Sequence, residues 1–257
     1  MSRSANYRYH RIAAAVIAAL IFGAIILLNP KAYEFASQLG FSDGKLPDYK
    51  AEQSEADSLL ARDVLENLAV KEKDTEHKYY RKQFYDNWSI TDSGCNMREA
   101  ILARDLKDVK YKDNSCKVET GTLEDPYTGK TINFVRGQDT SSVVQIDHVV
   151  ALSNAWATGA FQLDADTRLA VSQDPLNLLA VDGPANQEKS DQAADTWLPS
   201  NQAFRCQYVA RQISVKYKYK LWVTPAEKLA MQKVLADCPE EKTRGLEQKW
   251  CCLPLNN

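Results

Sequence analysis

The chain holds only three histidines, and one of them, His148, stands next to an acid inside an apolar segment. The stretch VVQIDHVVAL places Asp147 and His148 within a β-branched run of the kind that forms a buried strand. Successive strand residues point to opposite faces, so one of the two would face a core unless the strand is short or ends there. A buried Asp without a partner is costly, and a metal ion is one partner that offsets the cost. Taken alone, the pair reads more readily as a strand end with a hydrogen-bonded His. The downstream segment DPLNLLAVDGPANQEKSD changes that balance. It places Asn177 nine positions before Asn186, with Lys189 three beyond. On a helix Asn186 and Lys189 would share a face. This inventory suits phosphodiester chemistry. An imidazole can act as general base, Asp147 and Asn186 can offer oxygen ligands, Asn177 can fix the connecting segment, and Lys189 can touch a phosphate. Mg2+ takes hard oxygen ligands and keeps several waters, so two protein ligands suffice; Mn2+ is the alternative. No small-molecule cofactor is expected.

The surrounding segments supply the scaffold. From about Ala56, Leu59, Leu60, Val64, Leu65 and Leu68 recur at helical spacing, and the pattern is expected to continue through Tyr79, Tyr80, Phe84 and Trp88. In GCNMREAILARDL, Met97, Ile101, Leu102 and Leu106 mark a second helical face. Arg98 and Arg104 lie six apart on this expected helix, and one of them, taken here as Arg104, could reach a substrate. From Val109 to Val150 the chain is β-prone, with Asp125-Pro126 and Thr128-Gly129 at turn positions. Helical periodicity returns in DPLNLLAV, in AFRCQYVARQISVKYKY and in TPAEKLAMQKVLADC, where Thr224 can cap and Pro225 can take the first helical position. The expected fold class is α+β, with a small sheet at the centre. Trp156, Trp197 and Trp222 read as core residues, and His77, in a charged stretch, as solvated. KYKYKLW is either a strand with a basic and an aromatic face or, preferred here, a half-buried strand or helix end with solvated lysines.

The formal net charge of −2 excludes binding by a global positive field, so any phosphate contact must be local. The six cysteines show no C-x-x-C or finger-like spacing, which argues against structural zinc and for disulfides in an oxidising compartment. The N-terminus agrees. Arg3, Arg8 and Arg11 precede an uncharged apolar run from Ile12 to Leu28. As a helix it would rise about 26 Å, close to a hydrocarbon core of about 30 Å. A signal anchor is preferred over a cleaved signal peptide, because no small-x-small cleavage site comes after it. Either one puts the remainder on the outer face of a membrane or in the exterior. Residues 1–30 are thus read as anchor or signal, 31–55 as linker, 56–240 as the functional domain and 241–257 as a tail.

Several segments in order carry a resemblance. GCNMREAILARDL, DPYTGKTINF, VVQIDHVVALSNAW, DPLNLLAVDGPANQEKSDQAADTWLP and RCQYVARQISVKYKYKLWVTPAEKLAM resemble HNH endonuclease family proteins related to the C-terminal domain of GmrSD restriction enzymes, in secreted or membrane-anchored form. The resemblance spans roughly Leu59 to Cys238. It implies a ββα-metal core, also called a His-Me finger, embedded in a mostly helical domain, and a nucleic-acid substrate with DNA ahead of RNA. It makes His148 the base, Asp147 and Asn186 the metal ligands and Asn177 an orienting residue. The third position of the pattern is Asn here in place of His. Six cysteines allow many pairings; Cys95–Cys116 and Cys206–Cys238 are the expected ones, each contributing about 3 kcal/mol in the chain-entropy model, with Cys251 and Cys252 unassigned. The competing function is a catalytically silent extracellular interaction module that keeps the fold, against which the retention of Asp147, His148 and Asn186 argues. A cell-wall hydrolase would need a carboxylate pair or an H-E-x-x-H motif, and no convincing case is present.

Overall fold

A computed structural model of the chain describes residues 59–244. The apolar run Ile12–Leu28, the linker and nearly all of the tail, with Cys251 and Cys252, fall outside the described residues. Among the described residues no helix is long and apolar enough to cross a membrane. The elements are mixed helix and strand, an α+β fold.

Helix α1 (Ala61–Asn67) buries Ala61, Val64 and Leu65. The helix expected to run on toward Trp88 stops there. The intervening segment VKEKDTEHK is almost wholly charged and has no apolar stripe to bury, so packing gives a helix nothing. It runs extended, with Lys71 donating to the Val223 carbonyl. The aromatic groups beyond it still reach a core: Phe84 is buried, and Tyr79 and Tyr85 pack against the same cluster.

Helix α2 (Met97–Asp105) is capped by Asn96, which accepts from the Glu99 amide, and its apolar face buries Ala100, Ile101 and Leu102. It lies on an antiparallel three-stranded sheet of β1 (Lys107–Tyr111), β2 (Val118–Glu124) and β3 (Thr131–Val135). The buried Glu99 carboxylate accepts from Arg136 and from the Val118 amide, pinning helix to sheet. The Cys95–Cys116 disulfide ties the same two layers.

The second sheet positions the site. Strands β4 (Val144–His148) and β5 (Leu178–Asp182) pair antiparallel, from Val144 opposite Asp182 to His148 opposite Leu178. Helices α3 (Leu152–Ala157) and α4 (Ala165–Gln173), neither foreseen from the sequence, fill the connection between them. Helix α5 (Gly183–Lys189) continues from β5 without a loop, with Asp182 as its N-cap and Pro184 in its first turn. The expected helical character of DPLNLLAV was wrong, because this ribbon is buried on both faces. Leu178 and Ala180 join the core under α2, while Leu179 and Val181 join the core under α1 and helices α6 (Arg205–Lys218) and α7 (Pro225–Ala236). A strand buried on both sides reads as an unbroken apolar run, which periodicity cannot assign.

Helix α7 starts as expected, with Thr224 and Glu227 forming a capping box and Pro225 in the first turn. The Cys206–Cys238 disulfide fastens its end to the start of α6, so both expected pairings form. KYKYKLW spans the last residues of α6 and the turn that leaves it. Its lysines are not merely solvated: Lys216 is fully buried against Glu227, and Lys218 pairs with Asp174. Trp156, Trp197 and Trp222 are buried, and His77 is exposed.

Gly183 marks a tight approach between α5 and the turn before β4, since a Cβ there would come within 2.2 Å of the Ser142 carbonyl oxygen. Gly183→Ala must push the turn before β4 away from the helix. We expect a loss of about 1–3 kcal/mol, read as a lower urea midpoint at unchanged slope; an unshifted midpoint would show that this contact constrains nothing.

Candidate active site

Asp147 and His148 close β4 and point to opposite sides of it. Helix α5 covers the Asp147 side. Its last residue, Lys189, is 0% exposed and donates to Asp147 Oδ1 at 2.9 Å and to the His148 carbonyl at 2.9 Å. The other carboxylate oxygen accepts from the Tyr127 hydroxyl at 2.5 Å. Tyr127 lies in the turn after β2, where Asp125 accepts from Thr128 and, with its other oxygen, from the Asp182 amide. That turn is thereby fixed to the junction of β5 and α5, and Tyr127 is aimed inward. Burial pushes the Asp147 carboxyl above its ordinary range, opposed by Lys189 and by the Tyr127 hydroxyl.

His148 is held from the other direction. Its Nε2 lies 2.9 Å from the Ser172 carbonyl in α4. A carbonyl only accepts, so Nε2 carries the proton and Nδ1 keeps a lone pair in the neutral ring. The ring stacks on Trp88 at 6.1 Å and lies 6.0 Å from Tyr85. Burial lowers its pKa to about 3; the Ser172 bond opposes that, and the charges of Arg81 and Lys189 add to it. The imidazole is therefore neutral across the physiological range.

Asn177 is fully buried just before β5. Its Oδ1 accepts from the Val150 amide at 2.8 Å, and its Nδ2 donates to the carbonyls of Val150 and Val171, each at 3.2 Å. One amide thus joins the chain leaving His148 to the helix that carries Ser172. Asn186 sits one turn before Lys189 and donates to Gln145 Oε1 at 2.9 Å. Gln145 and Asp147, two apart on β4, face α5 together and meet Asn186 and Lys189, three apart on the helix. Asp147, His148, Gln145, Asn186, Arg81 and Asp191 line one cavity of about 440 Å³.

Two residues expected to contact substrate are engaged with protein in the structure. Lys189 shares a face with Asn186, but while Asn186 lines the cavity, the Lys189 ammonium is fully buried and engaged with Asp147 and the His148 carbonyl. Arg104 donates to the carbonyls of Pro175 and Leu178 and pairs with Asp105, whose carboxylate accepts from the Ala180 amide. It secures the outer edge of β5, a structural duty. Sequence reading missed Tyr127, Ser172, Gln145, Arg81 and Asp191. Ser172 acts through its carbonyl, which no side-chain pattern reveals, and Tyr127 looked like a turn residue only.

Residues 96–234 match the family described as GmrSD restriction endonucleases, C-terminal domain. The chain belongs to that family. The family is nuclease-related, and the matched stretch contains every residue of β4, β5 and α5 described above. The chain is also 37% identical over 180 residues to an uncharacterized secreted protein of Arthroderma benhamiae, covering 69% of this chain and 84% of that protein. No solved structure matches the chain. Arg81, Tyr85 and Trp88 precede the GmrSD match.

Removing one partner of a buried ion pair leaves the other charge uncompensated, at a cost of about 3–5 kcal/mol. Lys189→Met is expected to lower stability in that range, and Asp147→Asn on top of it to recover a large part. Urea midpoints of the two single variants and the double variant measure the coupling; simple additivity would refute it.

Proposed function

We propose that this protein hydrolyses phosphodiester bonds of nucleic acid, DNA ahead of RNA, in a reaction that depends on a divalent cation and takes place outside the cytoplasm. The observation that carries the reading is the locked tautomer of His148: one ring nitrogen is bonded to the Ser172 carbonyl and the other is left basic, on a cavity wall shared with Asp147 and Asn186. The succession of β4, β5 and α5 around these residues supports a ββα-metal core within the GmrSD family.

The donor set fits a cation. Each Asp147 oxygen accepts one hydrogen bond and keeps further lone-pair capacity, and Asn186 donates to Gln145 through its nitrogen, leaving its oxygen. Among the described residues no group of three or more His, Cys, Asp or Glu is placed to hold a metal. An ion bound by Asp147 and Asn186 would therefore keep most of its waters, as Mg2+ does, with Mn2+ as substitute. Such an ion supplies Lewis-acid stabilisation of charge on the scissile phosphate.

Each of the protein's own groups has a distinct part. His148 takes a proton at Nδ1 from the water that attacks phosphorus while the bond to the 3′ oxygen breaks and that oxygen leaves, taking a proton from solvent, and the Ser172 carbonyl stabilises the imidazolium through Nε2–H. Burial keeps the resting ring unprotonated, so the lone pair is available at every physiological pH. The stack on Trp88 restrains the ring plane. Asn177 keeps Ser172 and the end of β4 in register, and Lys189 fixes the His148 carbonyl, so the base can neither tilt nor withdraw.

Location outside the cytoplasm is supported by the two disulfides, by the basic-flanked apolar run at the N-terminus and by the name of the Arthroderma benhamiae relative. The apolar run would hold the protein to the outer face of a membrane if it is uncleaved, and would release it if it is removed.

The test uses the oxidised full chain with plasmid DNA and RNA, in Mg2+, in Mn2+ and in chelator. Cleavage is expected with either metal and not in chelator. His148→Ala should lose about 10²–10⁴-fold in rate while its manganese titration stays close to that of the parent. Equal rates for parent and variant would remove His148 from the chemistry.

A further inference from the structure

The cavity carries a cationic side chain from outside the GmrSD match. Several basic residues of the matched segment are engaged with protein: Lys189 with Asp147, Arg104 with Asp105 and backbone, Arg168 with the carbonyls of Gln83 and Leu163, and Arg211 with the carbonyls of Pro175 and Leu176. Arg81 is the one Arg or Lys side chain lining the cavity among the described residues. It is exposed, and it opens the short 3-10 turn Arg81–Gln83.

The arrangement of Arg81 is that of a residue held ready for an anion. Its guanidinium lies over the Tyr85 ring, 5.1 Å from the centroid, and one N–H is given to the Tyr85 hydroxyl. Among the described residues it has no carboxylate partner. The remaining N–H groups form a planar fork matched to phosphate oxygens. The ring contact and the hydroxyl bond restrain the guanidinium beside the cavity before any ligand arrives. Tyr85 in turn packs 5.5 Å from Trp88 and 6.0 Å from His148, so the cation and the base share one aromatic wall. The Arg81 charge is also one of the influences felt at His148.

We propose that Arg81 binds the substrate phosphodiester beside His148, and that the segment before the GmrSD match thereby completes the substrate site. The contact is to backbone phosphate, so it confers affinity without sequence preference. This proposal rests on the nuclease reading above.

Binding of a fluorescein-labelled DNA oligonucleotide to the full chain carrying His148→Ala, monitored by anisotropy in Mg2+ over a range of NaCl, tests it. Adding Arg81→Ala should weaken binding about tenfold and make the plot of log K against log salt shallower by about 0.7–0.9, the contribution of one phosphate contact. Arg81→Lys should keep the slope and recover only part of the affinity, because it keeps the charge and loses the fork. Tyr85→Phe, which removes only the hydroxyl, should keep the slope. An unchanged slope in Arg81→Ala, or an equal loss of slope in the Lys variant, overturns the contact and leaves the nuclease reading standing. No binding by the His148→Ala parent overturns the nucleic-acid substrate itself, and this contact with it. Thermal melts of each variant separate an unfolded protein from a lost contact, and Arg81→Lys carries the question if the Ala variant melts early.

Discussion

An ammonium group fully removed from water governs the geometry of this site. Lys189 can be buried only because Asp147 and the His148 carbonyl both receive it, since an unpaired charge at that depth costs several kcal/mol. The requirement acts on backbone as well as side chains. It draws the end of α5 onto the end of β4 and so fixes Asn186, one turn back, above Gln145. It also changes what Asp147 can offer. Its charge is already balanced by Lys189, so a cation there is attracted less by net Coulomb force than by a bare carboxylate. Oxygen geometry, retained water and the substrate's own phosphate must supply the remainder. That is a demand Mg2+ meets more readily than an ion that prefers a closed cage.

The second lock acts through amide groups and ties the base to the long connection between β4 and β5. Ser172 lies in the last turn of α4, Asn177 lies before β5, and Val150 lies two residues beyond His148. Asn177 joins both neighbouring segments with three hydrogen bonds. Each of these groups is buried, so breaking one bond would leave a polar atom without water to replace its partner. The tautomer of His148 is therefore set by the packing of a whole connection.

Much of this was legible in the sequence where a local rule had a local cause. Asn96, Thr224 and Pro225 announce helix starts, and α2, α6 and α7 appear where their apolar spacing puts them. Asp147 and His148 stand out because charge inside a β-branched run is rare. Helical spacing correctly placed Asn186 and Lys189 on one face. What it could not say was which way that face turns, because NQEK offers the same residues to core and solvent. Arg104 misled for a like reason: a guanidinium that satisfies backbone carbonyls looks, in sequence, like one awaiting phosphate. DPLNLLAV failed differently. It is apolar on both faces because two cores meet on β5, and no single-chain pattern distinguishes that from a buried helix.

The aromatic wall of His148 affects the base as well as the substrate. Trp88 and Tyr85 come from outside the segment that matches the GmrSD family, yet they cover the ring of the proposed base. Covering it removes water, and removing water is the first cause of its lowered basicity. A base so weakened is kept unprotonated, at the expense of driving force for taking a proton. An anionic phosphodiester arriving beside it reverses part of that penalty, since a nearby negative charge favours the imidazolium. On the proposed function, the segment around Arg81 would bear on reactivity through two routes of opposite sign, one by excluding solvent from the base and one by bringing an anion that restores its proton affinity. A family domain defined from residue 96 onward contains the side chains proposed for catalysis, but their environment is completed by residues that precede it.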